Sequence, residues 1–309
     1  MSKILITTSS FDLEAPEIKA LQAAGYEPVL NPHKRRLSEE EVAELLTPEI
    51  VGMIAGVEPL TKSVINGAQN LRAIARCGIG MDSVDIAAAK AKGIAVTNTP
   101  DAPTKAVAEL TVGLMLDVLR AVPLQDRAIR DGKWVRPMGG LLSARTVGLI
   151  GYGRIGKKTA EYVRGFGAKV IACDNYVQDP ALVSFDTVLV KADIISLHIP
   201  YSNEVRHIID AAALAKMKKG SYLINASRGG LVDEAALAGA LESGHLGGAA
   251  LDVYENEPYT GALTQFDNIV LSAHVGSYAS EARKEQEALA AANLLASLEA
   301  IQEQEVAHG

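Results

Sequence analysis

Thr146-Val147-Gly148-Leu149-Ile150-Gly151-Tyr152-Gly153-Arg154-Ile155-Gly156 decides how the rest of the chain is read. An apolar run of strand character ends in Gly-x-Gly-x-x-Gly, and a helical pattern follows from Lys157 to Phe166. A second apolar run, Lys169-Val170-Ile171-Ala172-Cys173, then ends in Asp174. Strand, glycine turn, helix, strand and acid in this order are the signature of a dinucleotide-binding unit. The acid stands 174 − 151 = 23 positions past the first glycine, against roughly 20 in the general pattern. Gly151 is expected to allow a tight turn, Gly153 to let the main chain approach a pyrophosphate, and Gly156 to let the helix pack close to the strand. The helix N-terminus then offers N–H groups and a positive dipole end to phosphates. A bare Gly-x-Gly-x-x-Gly also occurs in purely structural turns. The flanking strand, helix and acid are what favour the cofactor reading.

The bulk properties around this stretch are those of an ordinary globular protein. The 309 residues suffice for two domains, and 48% are hydrophobic against 22% charged. A formal net charge of −7 argues against a nucleic-acid binder, which would present a basic face. Two cysteines, Cys77 and Cys173, are too few for a disulfide framework and read as packed, reduced thiols. The chain opens with Met1-Ser2-Lys3-Ile4-Leu5-Ile6-Thr7, a strand that leaves no room for a signal peptide. No apolar run reaches the ~18 residues of a membrane span. A soluble, cytoplasmic protein is expected.

Residues 1–99 alternate apolar runs (Lys3 to Thr7, Tyr26 to Leu30, Ile50 to Ala55, Leu71 to Ala75, Ile94 to Thr97) with helical patterns. Glu14 to Ala24 is one such helix. Ser38-Glu39-Glu40-Glu41 opens another with a capping-box pattern. Asn98-Thr99-Pro100-Asp101-Ala102-Pro103 is a turn-rich break and the candidate boundary. Lys105 to Leu119 then reads as a buried or interface helix, and Trp134 as a packing anchor of a kind found at subunit interfaces. Further strands are expected at Ile194 to Ile199, Tyr222 to Ala226, Gly248 to Val253 and Ile269 to Ser272, with helices at Asp210 to Met217 and Asp233 to Glu242. A last helix, 281–303, would return the chain to the first domain. The fold class is α/β, two doubly wound parallel-sheet domains: a Rossmann-type cofactor domain (100–279) and a flavodoxin-like substrate domain (1–99 and 280–309).

Ligands of such sheets bind beyond the carboxyl ends of the strands. Three strand ends carry suitable chemistry: Asn225-Ala226-Ser227-Arg228, Val253-Tyr254-Glu255-Asn256-Glu257 and Ser272-Ala273-His274. In an alcohol–ketone interconversion, histidine has a pKa suited to exchanging the hydroxyl proton. A neighbouring carboxylate would favour its imidazolium form. An arginine can hold a substrate carboxylate through two hydrogen bonds. Each residue alone reads more simply as a salt bridge or a core histidine; the combination points to catalysis by Arg228, His274 and a carboxylate of the Glu255-Asn256-Glu257 segment.

These segments, together with Arg76-Cys77-Gly78-Ile79-Gly80-Met81-Asp82-Ser83-Val84-Asp85 and Asn98-Thr99-Pro100, resemble the D-isomer-specific 2-hydroxyacid dehydrogenase family, and within it the phosphoglycerate dehydrogenase-like group. The resemblance implies an NAD-dependent enzyme of two α/β domains with its active site in the cleft between them, dimeric through the cofactor domain. It implies that Arg228 binds the substrate's carboxylate and carbonyl, that His274 is the acid/base and that Glu257 tunes it. The main chain at Gly78 and Ile79 would donate to the substrate carboxylate. Cofactor binding would fall to Gly151, Gly153, Arg154, Ile155, Gly156, Ile199, Ser227 and Gly276. Asp174 would take the adenosine ribose hydroxyls, favouring NAD over NADP, and Asp252 the nicotinamide carboxamide.

3-Phosphoglycerate is the leading substrate expectation, with glyoxylate, hydroxypyruvate or another small 2-oxo acid as the alternative. Two departures bear on it. Phosphoglycerate dehydrogenases commonly carry an Arg-Ser pair where this chain has Val57-Glu58-Pro59-Leu60-Thr61, and an acid does not suit a phosphorylated substrate. The cluster His33-Lys34-Arg35-Arg36 would then supply the missing charge or simply be a solvated loop. The chain also ends without the regulatory domains of longer members, so serine feedback is not expected. A non-catalytic NAD(H)-sensing protein is the reading from a different functional class. His198 is expected to be structural, and His33, His207, His245 and His308 exposed. No His, Cys and acid spacing implies a metal.

Overall fold

The computed structural model describes residues 2–8, 11 and 14–308. The chain divides into two compact units, Met1–Pro103 with Ala279–Gly309, and Thr104–Tyr278.

The first unit runs β1 (Lys3–Ile6), α1 (Pro16–Ala23), β2 (Glu27–Leu30), α2 (Glu39–Leu45), β3 (Ile50–Ala55), α3 (Lys62–Gly67), β4 (Ala73–Arg76), α4 (Ile86–Ala91) and β5 (Ala95–Asn98). All pairings are parallel, in the order β2-β1-β3-β4-β5, which is the flavodoxin-like order. The capping box at α2 is present: the Ser38 hydroxyl accepts from Glu41 N and the Glu41 carboxylate accepts from Ser38 N.

The second unit runs α5 (Thr104–Arg120), α6 (Val122–Arg130), β6 (Thr146–Ile150), α7 (Arg154–Gly165), β7 (Lys169–Cys173), α8 (Phe185–Lys191), β8 (Ile194–Leu197), α9 (Ala211–Lys216), β9 (Tyr222–Asn225), α10 (Glu234–Glu242), β10 (Gly248–Leu251) and β11 (Ile269–Leu271). Its six strands are parallel in the order β11-β10-β9-β8-β6-β7. Successive connections leave β6 in one direction and, after β7, return past it to β8. The switch point therefore lies between β6 and β8, at the glycine turn, which is where doubly wound sheets hold ligands. Strands β8 and β10 are buried along their whole length, as a parallel sheet covered on both faces requires. Val147 and Leu149 point to one apolar layer, with Ala160 and Val163 of α7. Ile150, Ile195, Leu197 and Leu223 build the other. Each fully buried Leu or Ile contributes about 1.5–3 kcal/mol of transfer free energy.

The last helix, α11 (Ser280–His308), belongs to the first unit, where Leu294 and Leu298 cover Gly52 of β3. Helix α7 begins at Arg154, a turn earlier than the sequence pattern from Lys157 suggests, because the turn glycine Gly153 is itself the N-cap. Strands β8 to β11 end one or two residues early, so the polar residues beyond them sit on loops. Trp134 is 80% exposed, so it is not packed within its own unit and only the interface half of the expectation stays open. Among the described residues no helix is long and apolar enough to cross a membrane, and no cluster of three His, Cys, Asp or Glu could hold a metal.

Candidate active site

The nucleotide end of the second unit is built from backbone. Gly151 has φ 102°, and a Cβ there would collide with the His198 carbonyl. A Cβ on Gly156 would collide with the Gly151 carbonyl, which lets the first turn of α7 press against the strand end. Gly153 differs: nothing lies within 4 Å of where its Cβ would be, and no side chain caps the helix it starts. Open space above N–H groups at a helix N-terminus is what a pyrophosphate needs. Asp174 braces the turn. Its Oδ2 accepts from Tyr152 N (2.7 Å), and its Oδ1 accepts from Tyr176 N (2.8 Å) and Val177 N (3.0 Å). Burial pushes this carboxyl up, but those main-chain donors and Lys157 outweigh it and hold it below the usual carboxylate range. Ser227 Oγ donates to Ile199 O (2.5 Å), tying two loops that flank the same strand ends. Residues Gly151 to Gly156 with Asp174 thus fit a dinucleotide.

The candidate catalytic groups follow from three neighbouring strands. Beyond β11, His274 sits at φ 53° and presents Nδ1 to Glu257 Oε2 at 2.8 Å. Glu257 is oriented in turn by Tyr254 N, which donates to its Oε1 (3.1 Å). A carboxylate accepting from Nδ1–H fixes the tautomer and leaves Nε2 for proton exchange. The imidazole side chain is 44% exposed. Asp252 is fully buried and holds the histidine's loop: it accepts from Ser272 Oγ (2.6 Å), Val275 N (2.9 Å) and Gly276 N (2.8 Å), and its carbonyl accepts from His274 N (2.8 Å). Arg228 is half-buried on the loop after β9, with Nη1 donating to Ser227 O (2.7 Å). Buried Asn225 shapes that loop, donating to Arg228 O (2.9 Å) and accepting from Ser227 N (3.1 Å). The next residue must be glycine, because a Cβ on Gly229 would overlap the main chain of Tyr254 and Glu255.

In the first unit Gly78 adopts φ 147° with the Arg76 guanidinium against it. Its N–H already donates to Thr99 Oγ1 (2.8 Å), which departs from the expectation that Gly78 N is available to a substrate carboxylate. Glu58 is 2% exposed, and its Oε1 accepts from Thr7 Oγ1 (2.5 Å) and Gly56 N (3.1 Å). Burial pushes the Glu58 carboxyl above its ordinary range. Arg35, from the basic cluster, is committed to Glu41 through two hydrogen bonds (2.6 and 2.9 Å).

Among the other histidines, His198 is half-buried on Ser196 Oγ (3.0 Å), and burial pushes it down to about 4, in keeping with a structural role. His33 is exposed. His207 and His245 depart from the expectation of exposure. Both are half-buried, because the first ring meets Glu255 on the loop beyond β10 and the second meets Leu214 O of α9 (3.0 Å). The side chain of His308 lies outside the described residues. Both cysteines are buried, and burial pushes each thiol up to about 11. Asn225, Thr99 and Tyr254 lie in the segments that carry the resemblance, but no part is assigned to them there; each acts through a contact made only on folding.

A Rossmann-type sheet with a glycine turn, an aspartate after its second strand and a histidine–carboxylate pair at its strand ends defines a nucleotide-dependent oxidoreductase. Residues 112–276 match the family "D-isomer specific 2-hydroxyacid dehydrogenase, NAD binding domain". A glyoxylate reductase of Thermofilum pendens is 40% identical over 277 residues, covering 84% of this chain and 82% of that protein. A D-3-phosphoglycerate dehydrogenase of Methanocaldococcus jannaschii is 38% identical over 295 residues, 92% of this chain but 55% of that protein's length. Among solved structures, a glyoxylate reductase from Paecilomyes thermophila superposes with a TM-score of 0.87 at 30% identity, over 96% of both chains. The chain belongs to the D-isomer specific 2-hydroxyacid dehydrogenase family, and is an NAD-dependent oxidoreductase.

Proposed function

We propose that the protein reduces a small, unphosphorylated 2-oxo acid such as glyoxylate or hydroxypyruvate to its D-2-hydroxy acid, with Arg228, Glu257 and His274 in the catalytic roles. The observation that carries the substrate choice is Glu58. The loop that commonly supplies an Arg-Ser pair in phosphoglycerate dehydrogenases supplies here a buried carboxylate turned onto Thr7 and Gly56. Of the basic cluster Lys34-Arg35-Arg36 that could replace the missing charge, Arg35 is ion-paired with Glu41, which leaves Lys34 and Arg36 exposed. This reverses the substrate order that the resemblance alone implies. Oxidation of 3-phosphoglycerate remains the second reading, favoured by the match to the archaeal dehydrogenase over 92% of this chain.

NADH, held by the glycine turn and Asp174, supplies the electron pair when bound. The residues of the chain do the rest. Arg228 binds the substrate carboxylate and polarises the adjacent carbonyl. His274 Nε2 delivers a proton to the carbonyl oxygen, and Glu257 on Nδ1 stabilises the imidazolium before that transfer. The half-exposed ring can collect its next proton from solvent.

A panel of glyoxylate, hydroxypyruvate, phosphohydroxypyruvate and pyruvate, followed by NADH absorbance, tests the reading. Glyoxylate or hydroxypyruvate should give the highest kcat/KM; a clear preference for phosphohydroxypyruvate would overturn the substrate assignment.

We also propose a homodimer through the second unit. Ile129, Trp134, Met138 and Leu141 expose large apolar side chains within 13 residues, Met138 to 99%. Such a run exceeds the scattered exposure normal for a monomer. Sedimentation equilibrium should give twice the chain mass, and a purely monomeric wild-type protein would reject this.

A further inference from the structure

His207 lies on the loop between β8 and α9, away from the nucleotide turn and from His274 in sequence. Its φ is 52°, a left-handed conformation that residues with a Cβ seldom adopt. Its main-chain N–H donates to Gly230 O (2.8 Å), two residues past Arg228. Its ring Nε2 lies 2.5 Å from Glu255 Oε1, two residues before Glu257, and Arg206 Nη2 donates to the same oxygen (3.1 Å). Glu255 N is held in turn by Glu234 Oε1 (2.9 Å). Burial pushes the Glu255 carboxyl up, but the His207 and Arg206 contacts outweigh it and keep it ionised. The Arg228 and Glu257 loops also touch directly, Gly229 lying against the Tyr254–Glu255 main chain.

One residue thus holds both loops that carry catalytic side chains, the first by its backbone and the second by its ring. A simple surface ion pair would join Glu255 to the ring alone and would not also tie the main chain of His207 to the Arg228 loop. Glu257 can orient the His274 ring only if the segment from Tyr254 to Glu257 keeps its place.

We propose that His207 is a positioning residue for the reduction: it fixes the Glu255–Glu257 segment to the Arg228 loop, so that the guanidinium and the imidazole hold their spacing. This rests on the catalytic roles proposed above for Arg228, Glu257 and His274.

The test uses the full chain, with His207→Gly, which suits the observed φ but removes the ring, and His207→Gln, which restores a donor of similar reach. His207→Gly should keep its melting temperature within a few degrees and its NADH affinity by fluorescence. Its kcat on glyoxylate should fall about tenfold or more, as expected for misplaced catalytic groups. His207→Gln should recover most of that loss. Unchanged kcat in His207→Gly, or losses of NADH affinity and stability in proportion to kcat, would overturn the inference. His274→Ala is assayed in parallel. If it retains turnover, the catalytic reading itself fails; if it is inactive while His207→Gly behaves as wild type, only the positioning role fails.

Discussion

The two units use the same architecture, a parallel sheet with helices on both faces, yet they treat polar groups at the strand ends in opposite ways. In the first unit those groups are bonded to one another: Glu58 takes Thr7 and Gly56, Thr99 takes Gly78 N, and Asn31 Nδ2 donates to Thr7 O (2.9 Å). Glu58 and Arg76 are buried there. In the second unit Asp252 and Asn225 are buried and bonded in the same way, but the candidate catalytic groups beside them stay partly open to solvent. His274 is held at Nδ1 with its side chain 44% exposed, and Arg228, whose Nη1 donates to Ser227 O, is half-buried. Buried hydrogen-bonded networks rigidify a fold, whereas a group that stays exposed can be reached by a substrate. The first set reads as architecture, and the second keeps the access that the proposed chemistry needs.

The sharpest way to break that contrast is to truncate an anchored group. His274→Ala should lower turnover by at least ~10²-fold while NADH titration gives the wild-type affinity; loss of cofactor binding instead would place the residue in the wrong role. Next in size, Asp174→Ala should weaken NAD roughly tenfold or more, since it removes charged hydrogen bonds. It should also narrow the preference over NADP, and unchanged selectivity in paired NADH and NADPH kinetics would contradict the ribose assignment. The smallest effect belongs to the first unit. The folded state raises the Glu58 carboxyl above its ordinary value, so folding favours the protonated form. Its stabilising share is complete below the unfolded carboxyl pKa of about 4.3 and is lost as pH rises from there through the raised folded value. Glu58→Gln keeps an acceptor for Thr7 and Gly56 without the charge. Its melting temperature should therefore fall less than wild type between pH 4 and 8, and parallel curves would contradict the assignment.

Local signals in the sequence were legible wherever one element carries both pattern and partner. The glycine turn, the capping box at Ser38 and the aspartate after β7 are each read within a few dozen residues. The strand-end placement of Arg228, Glu257 and His274 was legible because parallel strands all deliver their carboxyl ends to one edge. What escaped depends on the order in which strands pair. His207 meets Glu255 across 48 residues of sequence, and Glu58 meets Thr7 across 51. Neither spacing carries a pattern. The short helices α3, α4, α6 and α8 are not read from the sequence, while α2, α9 and α10, of similar length, are; six to nine residues make only about two turns, so little periodicity is there to find. Trp134 was half-legible: a large aromatic signals a contact without saying with what, and nothing in its own chain covers it.

The three glycines of the opening motif are not equivalent, and this has a use. Side chains at Gly151 or Gly156 would strike the main chain, so they endanger the fold itself. At Gly153 the backbone has φ −74°, open to any residue, and a methyl group would meet nothing. A library of variants at position 153 sorted by cellular abundance should therefore look neutral, while the same library sorted by growth on the enzyme's activity should be nearly empty of everything except glycine. Position 153 separates what the chain needs in order to exist from what it needs in order to work.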